Sequence, residues 1–317
     1  MSDGTMVAHA PRRGRRAARV HGVLALDKPA GMTSFGAVRE VRRLLDERRV
    51  GHAGTLDPAA TGLLPICVGA ATRLVDYFHQ QPKRYRCVLR LGERSDTMDT
   101  EGTVTPGADA SALDSAAVLE VLPQFVGDIT QVPPMHSAVR HEGRHLYELA
   151  RQGVEVERSP RPAHVESIAL LDLRAGAVTE VEVEVVCGKG TYMRVLAADI
   201  GDLLGVGGLL GRLRRTGYGC LGEREALTLE ALRTLPDPAS ALLPPAVAVD
   251  HLPRLDVPPQ LALQILRGQA VWVTRRPQGA ASGATVRVHD VRGELLALGE
   301  LTGLHLKPTK VLAGGAG

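Results

Sequence analysis

Apolar and polar positions along this chain repeat with two periods, and those periods place most of its elements. Val181, Val183 and Val185 alternate with Glu180, Glu182 and Glu184, the period-two pattern of a strand with one wetted face. Shorter apolar runs predict strands at 22–26, 64–68 and 84–91. A helical period starts after Thr33 and Ser34, both good N-caps. Phe35, Val38, Val41, Leu44 and Leu45 form its apolar stripe, which sends Arg39, Arg42 and Arg43 to the opposite face. Residues 112–126 repeat the helical spacing through Leu113, Val118, Leu122 and Phe125. A further helix is predicted to follow Cys187-Gly188-Lys189-Gly190-Thr191-Tyr192-Met193-Arg194 and to run to about Leu204.

Breaks in the periods give the organisation. Residues 133–154 mix Pro-Pro with His, Arg and Tyr and read as a mobile surface excursion. Residues 236–245 are proline-rich and read as a linker. Beyond them 285–301 reads as a hairpin around Asp290-Val291-Arg292-Gly293, inside a small β-rich domain at 250–313. Residues 1–20 have arginine and alanine without periodicity, the pattern of a disordered basic tail. The main body is therefore 21–245, and no internal repeat is visible.

Composition changes the picture in three places. No apolar run reaches the ~18 residues a membrane span needs, and the first twenty residues lack the apolar core of a secretory signal. Cys67, Cys87, Cys187 and Cys220 lie far apart without zinc or disulfide spacing, which fits reduced, buried thiols in a cytoplasmic protein. The formal charge of +3 is misleading, because five arginines and one aspartate in 1–20 supply +4 and leave the rest near −1. Nucleic-acid binding must then rest on local clusters: Arg39/Arg42/Arg43 with Arg48/Arg49; Lys83/Arg84/Arg86; Arg140/Arg144/His145/Arg151; and Arg212/Arg214/Arg215. Each can equally be an ordinary solvated face.

The candidate chemistry centres on Gly51-His52-Ala53-Gly54-Thr55-Leu56-Asp57-Pro58-Ala59-Ala60-Thr61-Gly62, one carboxylate on a glycine-rich loop before a buried strand. Asp57 is a reactive group there, or it merely caps the turn that Pro58 bends. His52 is a functional group or a structural hydrogen-bonder. Tyr85 points to the opposite side of its strand from Arg84 and Arg86, as a stacking surface or a core residue. Arg194, opening a helix, pairs with a buried carboxylate and keeps it ionised, or is a plain surface arginine. Gly188-Lys189-Gly190-Thr191 lacks the leading glycine of a phosphate loop, and Gly205 to Gly211 misses the dinucleotide spacing by one position. None of the 11 histidines has metal-ligand spacing.

Six segments in register resemble the TruB family of tRNA pseudouridine synthases. They are Leu26-Asp27-Lys28-Pro29-Ala30-Gly31; the Asp57 loop; Asp76 with Lys83-Arg84-Tyr85-Arg86; Pro133-Pro134 and Ser137-Ala138 with Tyr147 and Arg151-Gln152-Gly153; Gly188 to Arg194; and Leu213-Arg214-Arg215-Thr216. Ala53 departs from the threonine common in the family, and His136 stands where others have tyrosine. The resemblance implies an α+β fold, a mixed and largely antiparallel sheet flanked by helices, with a C-terminal PUA-like RNA-binding domain. It implies isomerisation of uridine 55 in the tRNA TΨC loop without cofactor or metal.

The same resemblance assigns the catalytic carboxylate to Asp57, as nucleophile or as base at C2′, and pairs it with Arg194. His52 would fill the gap left by the flipped base, Tyr85 would stack on that base, Tyr192 would bond the carboxylate or the uracil, and Leu213 would wall the pocket. Arg214 and Arg215 would lie near phosphates, and 133–154 would close on the T arm. A monomer is expected, since RNA covers the basic surface. Two other readings stand beside it: a tRNA-binding or folding module, and a phosphoryl transferase using Gly188–Thr191.

Overall fold

The computed structural model describes residues 20–137 and 139–312. Most of the basic tail, Ala138 of the fourth segment and residue 313 fall outside the described residues.

The chain opens with β1 (Gly22–Lys28) and α1 (Ser34–Leu44), followed by β2 (Val50–His52), β3 (Thr61–Val68) and the short α2 (Val75–Phe78). Thr33 caps α1 through a 2.9 Å bond accepted from Gly36 N, an arrangement worth about 1 kcal/mol. Ser34, Ala37, Val38 and Val41 are the buried face. Phe35 is not on it: one residue round the helix from Ser34, it is 62% exposed.

β4 (Lys83–Leu91) leads to the two-stranded β5 (Glu93–Ser95) and β6 (Val104–Pro106), then α3 (Ser115–Val121) and β7 (Gly127–Gln131). The 133–154 excursion folds as a hairpin, β8 (Arg140–His141) and β9 (Arg144–His145), followed by α4 (Leu146–Ala150). β10 (Arg161–Arg174), β11 (Thr179–Cys187), α5 (Met193–Leu203) and β12 (Gly208–Tyr218) complete the centre. β13 (Leu221–Gly222), β14 (Leu227–Thr228) and α6 (Leu229–Thr234) close the main body.

Ten of these strands form one sheet in the order β14-β1-β3-β12-β4-β11-β10-β7, with β2 beside β3 and β13 beside β12, while β5–β6 and β8–β9 pair separately. Only β1–β14 and β3–β12 are parallel, so the sheet is mixed and largely antiparallel. Val181, Val183 and Val185 of β11 are buried and its glutamates half-exposed, the expected division for a strand covered on one face. β12 carries a register shift between Leu210 and Arg212. That extra residue at Gly211 lets Leu210 and Leu213 serve the same side despite their odd spacing.

The C-terminal unit holds β15 (Arg254–Asp256), α7 (Pro259–Leu266), β16 (Val271–Trp272), β17 (Ala284–His289), β18 (Leu295–Thr302) and β19 (His305–Val311) in a five-stranded sheet. β17 and β18 are the predicted hairpin. The proline-rich 236–245 segment connects the two units, but it is not free. Leu243 exchanges two 2.9 Å backbone bonds with Val23 of β1. Ala248 and Val249 just after it are buried in a cluster with Val23, Ala25 and Leu63 on one side and Leu295 and Leu298 on the other. Apolar side chains behind the prolines are covered by β1, β3, α2 and β18, which draws the segment down onto the sheet.

Three cysteines are buried as expected; Cys220 is exposed, because it lies in the turn between β12 and β13.

Candidate active site

Separate elements hold the loop between β2 and β3. Ser34 of α1 brackets Leu56, accepting from its N–H at 2.8 Å and donating to its carbonyl at 2.9 Å. Lys28, fully buried, donates to the carbonyls of Pro29, Met32 and Pro58 at 2.9, 2.7 and 3.2 Å. Burial pulls its pKa down to about 8, opposed by the nearby Asp57 carboxylate. Arg215 donates to the Gly54 carbonyl at 3.2 Å and to Leu63 at 2.6 Å. Gly62 has φ +97°, and a Cβ there would collide with the Arg215 backbone across the parallel β3–β12 pairing. The loop is thus fixed on both sides of Asp57.

Asp57 itself opens onto a cleft of about 840 Å³, lined also by Thr55, Tyr85, Arg161, Tyr192, Arg194 and Leu213. Its side chain is 43% exposed, so the carboxylate is not buried; Arg194, at 8%, is the buried partner. Arg194 Nη2 stands 3.2 Å from Asp57 Oδ2 and donates to the His136 carbonyl at 2.7 Å. Its Nη1 lies 3.6 Å from Asp99 Oδ2 and donates to the Thr97 carbonyl at 3.3 Å. A guanidinium satisfied on both nitrogens fixes the carboxylate orientation from below and leaves its second oxygen for a ligand.

The start of α5 is set by Gln131 of β7. Its buried carboxamide accepts from Tyr192 N at 2.9 Å and donates to the Tyr192 carbonyl at 3.2 Å. That pair replaces the missing side-chain cap and aims Tyr192 and Arg194 at the cleft. Burial raises the Tyr192 hydroxyl pKa, with Arg161 acting against it. Tyr85, 8% exposed, lines the cleft while its hydroxyl is 3.5 Å from Arg215 Nη1. Burial pushes the Tyr85 phenol up as well. Leu213 lines the same cleft.

The structure therefore brings Asp57, Tyr85, Tyr192, Arg194 and Leu213 to one cleft and leaves His52 off its lining. His52 sits on β2, partly buried, with Nδ1 unbonded, and its pKa is lowered by burial and by the charges of Arg215 and His79. His79 lines the cleft instead. The sequence reading missed His79, Asp99, Gln131 and Arg161; each arrives from a distant segment, and only the third dimension assembles them.

Two basic clusters dissolve. Lys83 is buried, its ammonium 4.6 Å above the Tyr218 ring, while Arg84 and Arg86 go to the far side of β4. Arg215 is 1% exposed, and Arg214 is taken by Asp27 at 3.0 and 2.9 Å and by Glu223 at 2.7 Å. Neither is available to a phosphate as the resemblance had implied. Among the described residues no His/Cys/Asp/Glu group has a metal-holding arrangement, and no helix is long and apolar enough to cross a membrane.

With this geometry in hand, comparison with known proteins is specific. Residues 42–193 match the TruB family pseudouridylate synthase (N terminal domain), and 194–240 match the tRNA pseudouridylate synthase B C-terminal domain. The chain is similar to tRNA pseudouridine synthase B of Saccharophagus degradans, 43% identical over 89% of this chain and 92% of that one. Its counterpart in Burkholderia mallei is 41% identical over 98% and 100%. Among solved structures, a Cbf5-Nop10-Gar1 complex superposes with TM-score 0.73 at 27% identity, covering 92% of this chain and 85% of that chain. An H/ACA RNP bound to a substrate RNA containing 2′-deoxyuridine gives 0.72 at 26%, covering 93% and 86%.

Proposed function

Since the chain belongs to the TruB family and acts as a tRNA pseudouridine synthase, we propose that its target is uridine 55 in the T arm, everted into the Asp57 cleft. The observation that carries this reading is the Asp57–Arg194 pair at 3.2 Å on the floor of an open cleft of nucleotide size.

The reaction is an isomerisation: the N1–C1′ bond breaks, the uracil rotates, C5 bonds to C1′, the C5 proton leaves and N1 gains one. Asp57 supplies the carboxylate. It attacks C1′ and forms a transient ester, or it removes the C2′ proton to give a glycal, and both routes use the oxygen not held by Arg194. Eversion of the stacked base costs a few kcal/mol, offset by contacts with Tyr85 and Leu213 in the cleft. At the end the C5 proton passes to the Asp57 carboxylate, free again once C5 has bonded C1′, while Tyr85, kept a neutral phenol by burial, packs against the ring. Tyr192 bonds the uracil. His52, outside the cleft lining, takes the place of the everted base in the loop stack.

The protein works as a monomer in the cytoplasm, where its substrate is found, and residues 133–154 close over the T arm. Domain limits of 21–245 and 250–313 fit a catalytic body with a PUA-like RNA-binding unit behind it. A folding role for tRNA is compatible with this, because opening and reclosing a T loop assists its folding.

Incubation with an unmodified tRNA transcript, followed by pseudouridine mapping, tests the reading. Wild type modifies the T-loop uridine, and Asp57→Asn binds the RNA while leaving it unmodified. A T loop left as uridine by wild type overturns it.

A further inference from the structure

We propose that the exposed face of α1 carrying Phe35, Arg39 and Arg42 is a subsite for an unpaired nucleotide of the substrate RNA, its base on Phe35 and its phosphate against Arg39. This rests on the reading of the substrate as RNA and adds to it a contact outside the cleft.

Four observations meet here. Phe35, Arg39 and Arg42 are spaced i, i+4, i+7, so they share one stripe of the helix, beside the buried Ser34/Ala37/Val38/Val41 face. Phe35 is 62% exposed, and the Arg42 guanidinium lies 6.0 Å from its ring centroid. That cation backs one side of the ring and leaves the rest open, the layered arrangement in which arginine, aromatic and base stack. Arg42 is itself fixed by donating to the Val50 carbonyl at 2.8 Å.

Arg39 is exposed and has no acidic partner among the described residues. The acid nearest in sequence, Glu40, is occupied by Arg43 at 3.3 Å and Arg233 at 3.1 Å. The stripe therefore keeps a net positive charge beside an unpaired aromatic ring. A protein partner would want an apolar centre, and arginines surround Phe35 on this stripe; an anionic strand carrying flat bases matches both features.

Position completes the case. Ser34, adjacent to Phe35, makes the two hydrogen bonds that bracket Leu56, the residue before Asp57. Ala30, just upstream, shares a cavity of about 310 Å³ with Asp57 and Leu213. The stripe begins one residue from the anchor of the Asp57 loop, within reach of an RNA strand that extends from the cleft over the start of α1.

The test measures Kd for an unmodified tRNA transcript at several salt concentrations, with kcat and KM for pseudouridine formation, in the full chain. Phe35→Ala raises Kd and KM about 5- to 100-fold, the range of base–aromatic stacking, with kcat within twofold of wild type. Phe35→Trp restores both values, and Phe35→Leu does not. Arg39→Gln lowers the salt slope by about 0.7, one phosphate contact on a single strand.

Unchanged Kd and KM in Phe35→Ala overturn the subsite. So does a dimer in wild type that Phe35→Ala dissolves while RNA binding stays intact. If wild type binds tRNA but forms no pseudouridine, the Kd series still decides the subsite, and the catalytic reading is what fails.

Discussion

On one side of β4 and β11, Arg84 stands 3.9 Å from Glu184 and Arg86 3.8 Å from Glu182, all four partly exposed. On the other side, Lys83 and Arg215 are buried with no carboxylate partner among the described residues, and rely on carbonyl oxygens and tyrosine rings. Exposed pairs of the first kind trade water for each other at almost no net gain. Buried cations of the second kind persist because the backbone saturates their donors, and they in turn fix the backbone. The same residue types thus decorate one face and build the other. Arg194 belongs to the second group but adds two carboxylates, Asp57 and Asp99, and so joins the scaffold to the cleft in which we place the reaction.

The contrast breaks first at Arg194. Arg194→Gln should lower kcat by about 10²- to 10³-fold while tRNA binding changes little, because the carboxylate loses its orientation and its facing charge. Single-turnover kinetics with saturating enzyme check this; a loss confined to KM would move Arg194 from chemistry to binding.

Next in size is Arg215→Leu. It strands the Leu63 and Gly54 carbonyls and should cost about 2–4 kcal/mol in urea unfolding. A cost below that of the exposed pairs would erase the distinction between the two faces.

The third test uses pH. Lys28 and Lys83 both have pKa values lowered to about 8 by burial. Between about 8 and the ordinary lysine value these two lysines bind more protons in the unfolded chain than in the folded one, so they raise stability with pH, while the buried thiols of Cys67, Cys87 and Cys187, pushed up by burial, act the other way above about 9. Urea midpoints from pH 7.5 to 8.5 should therefore climb, and Lys83→Met should flatten part of the climb. A falling midpoint would mean these ammonium groups are stabilised, not penalised, by their sites.

The smallest effect is expected on the outer face. Arg84→Gln or Glu184→Gln should change stability by less than about 0.5 kcal/mol and leave kcat/KM for tRNA as it was. A clear loss of activity would restore Arg84 as an RNA contact.

How much of this was legible in the sequence depended on whether local rules sufficed. The β11 alternation, the Thr33 cap and the β17–β18 hairpin are local, and each appears where the pattern put it. Tyr85 and its flanking arginines divided between faces as strand geometry requires. Asp57 and Arg194 were legible as members of registered segments, and their meeting follows from a sheet that brings β3 and α5 together around β12. Phe35 was misplaced because a stripe drawn from hydrophobicity alone cannot see that Ser34, tied to Leu56, sets the buried face. The Arg212/Arg214/Arg215 run looked like a surface cluster, yet tertiary partners from Asp27, Gly54 and Leu63 absorb two of the three. Gln131 left no local trace, since its role is to hold the backbone of a residue 61 positions away.

One feature of the fold reaches beyond the cleft. Val23, Ala25 and Leu63 share a single apolar seam with Leu295 and Leu298, and across the same border the Arg73 guanidinium donates to the Val311 carbonyl and the Lys310 ammonium to the Arg73 carbonyl. Two units welded in this way move together, so a load on the outer sheet is passed to β1 and β3, the strands that border the loop bearing Asp57.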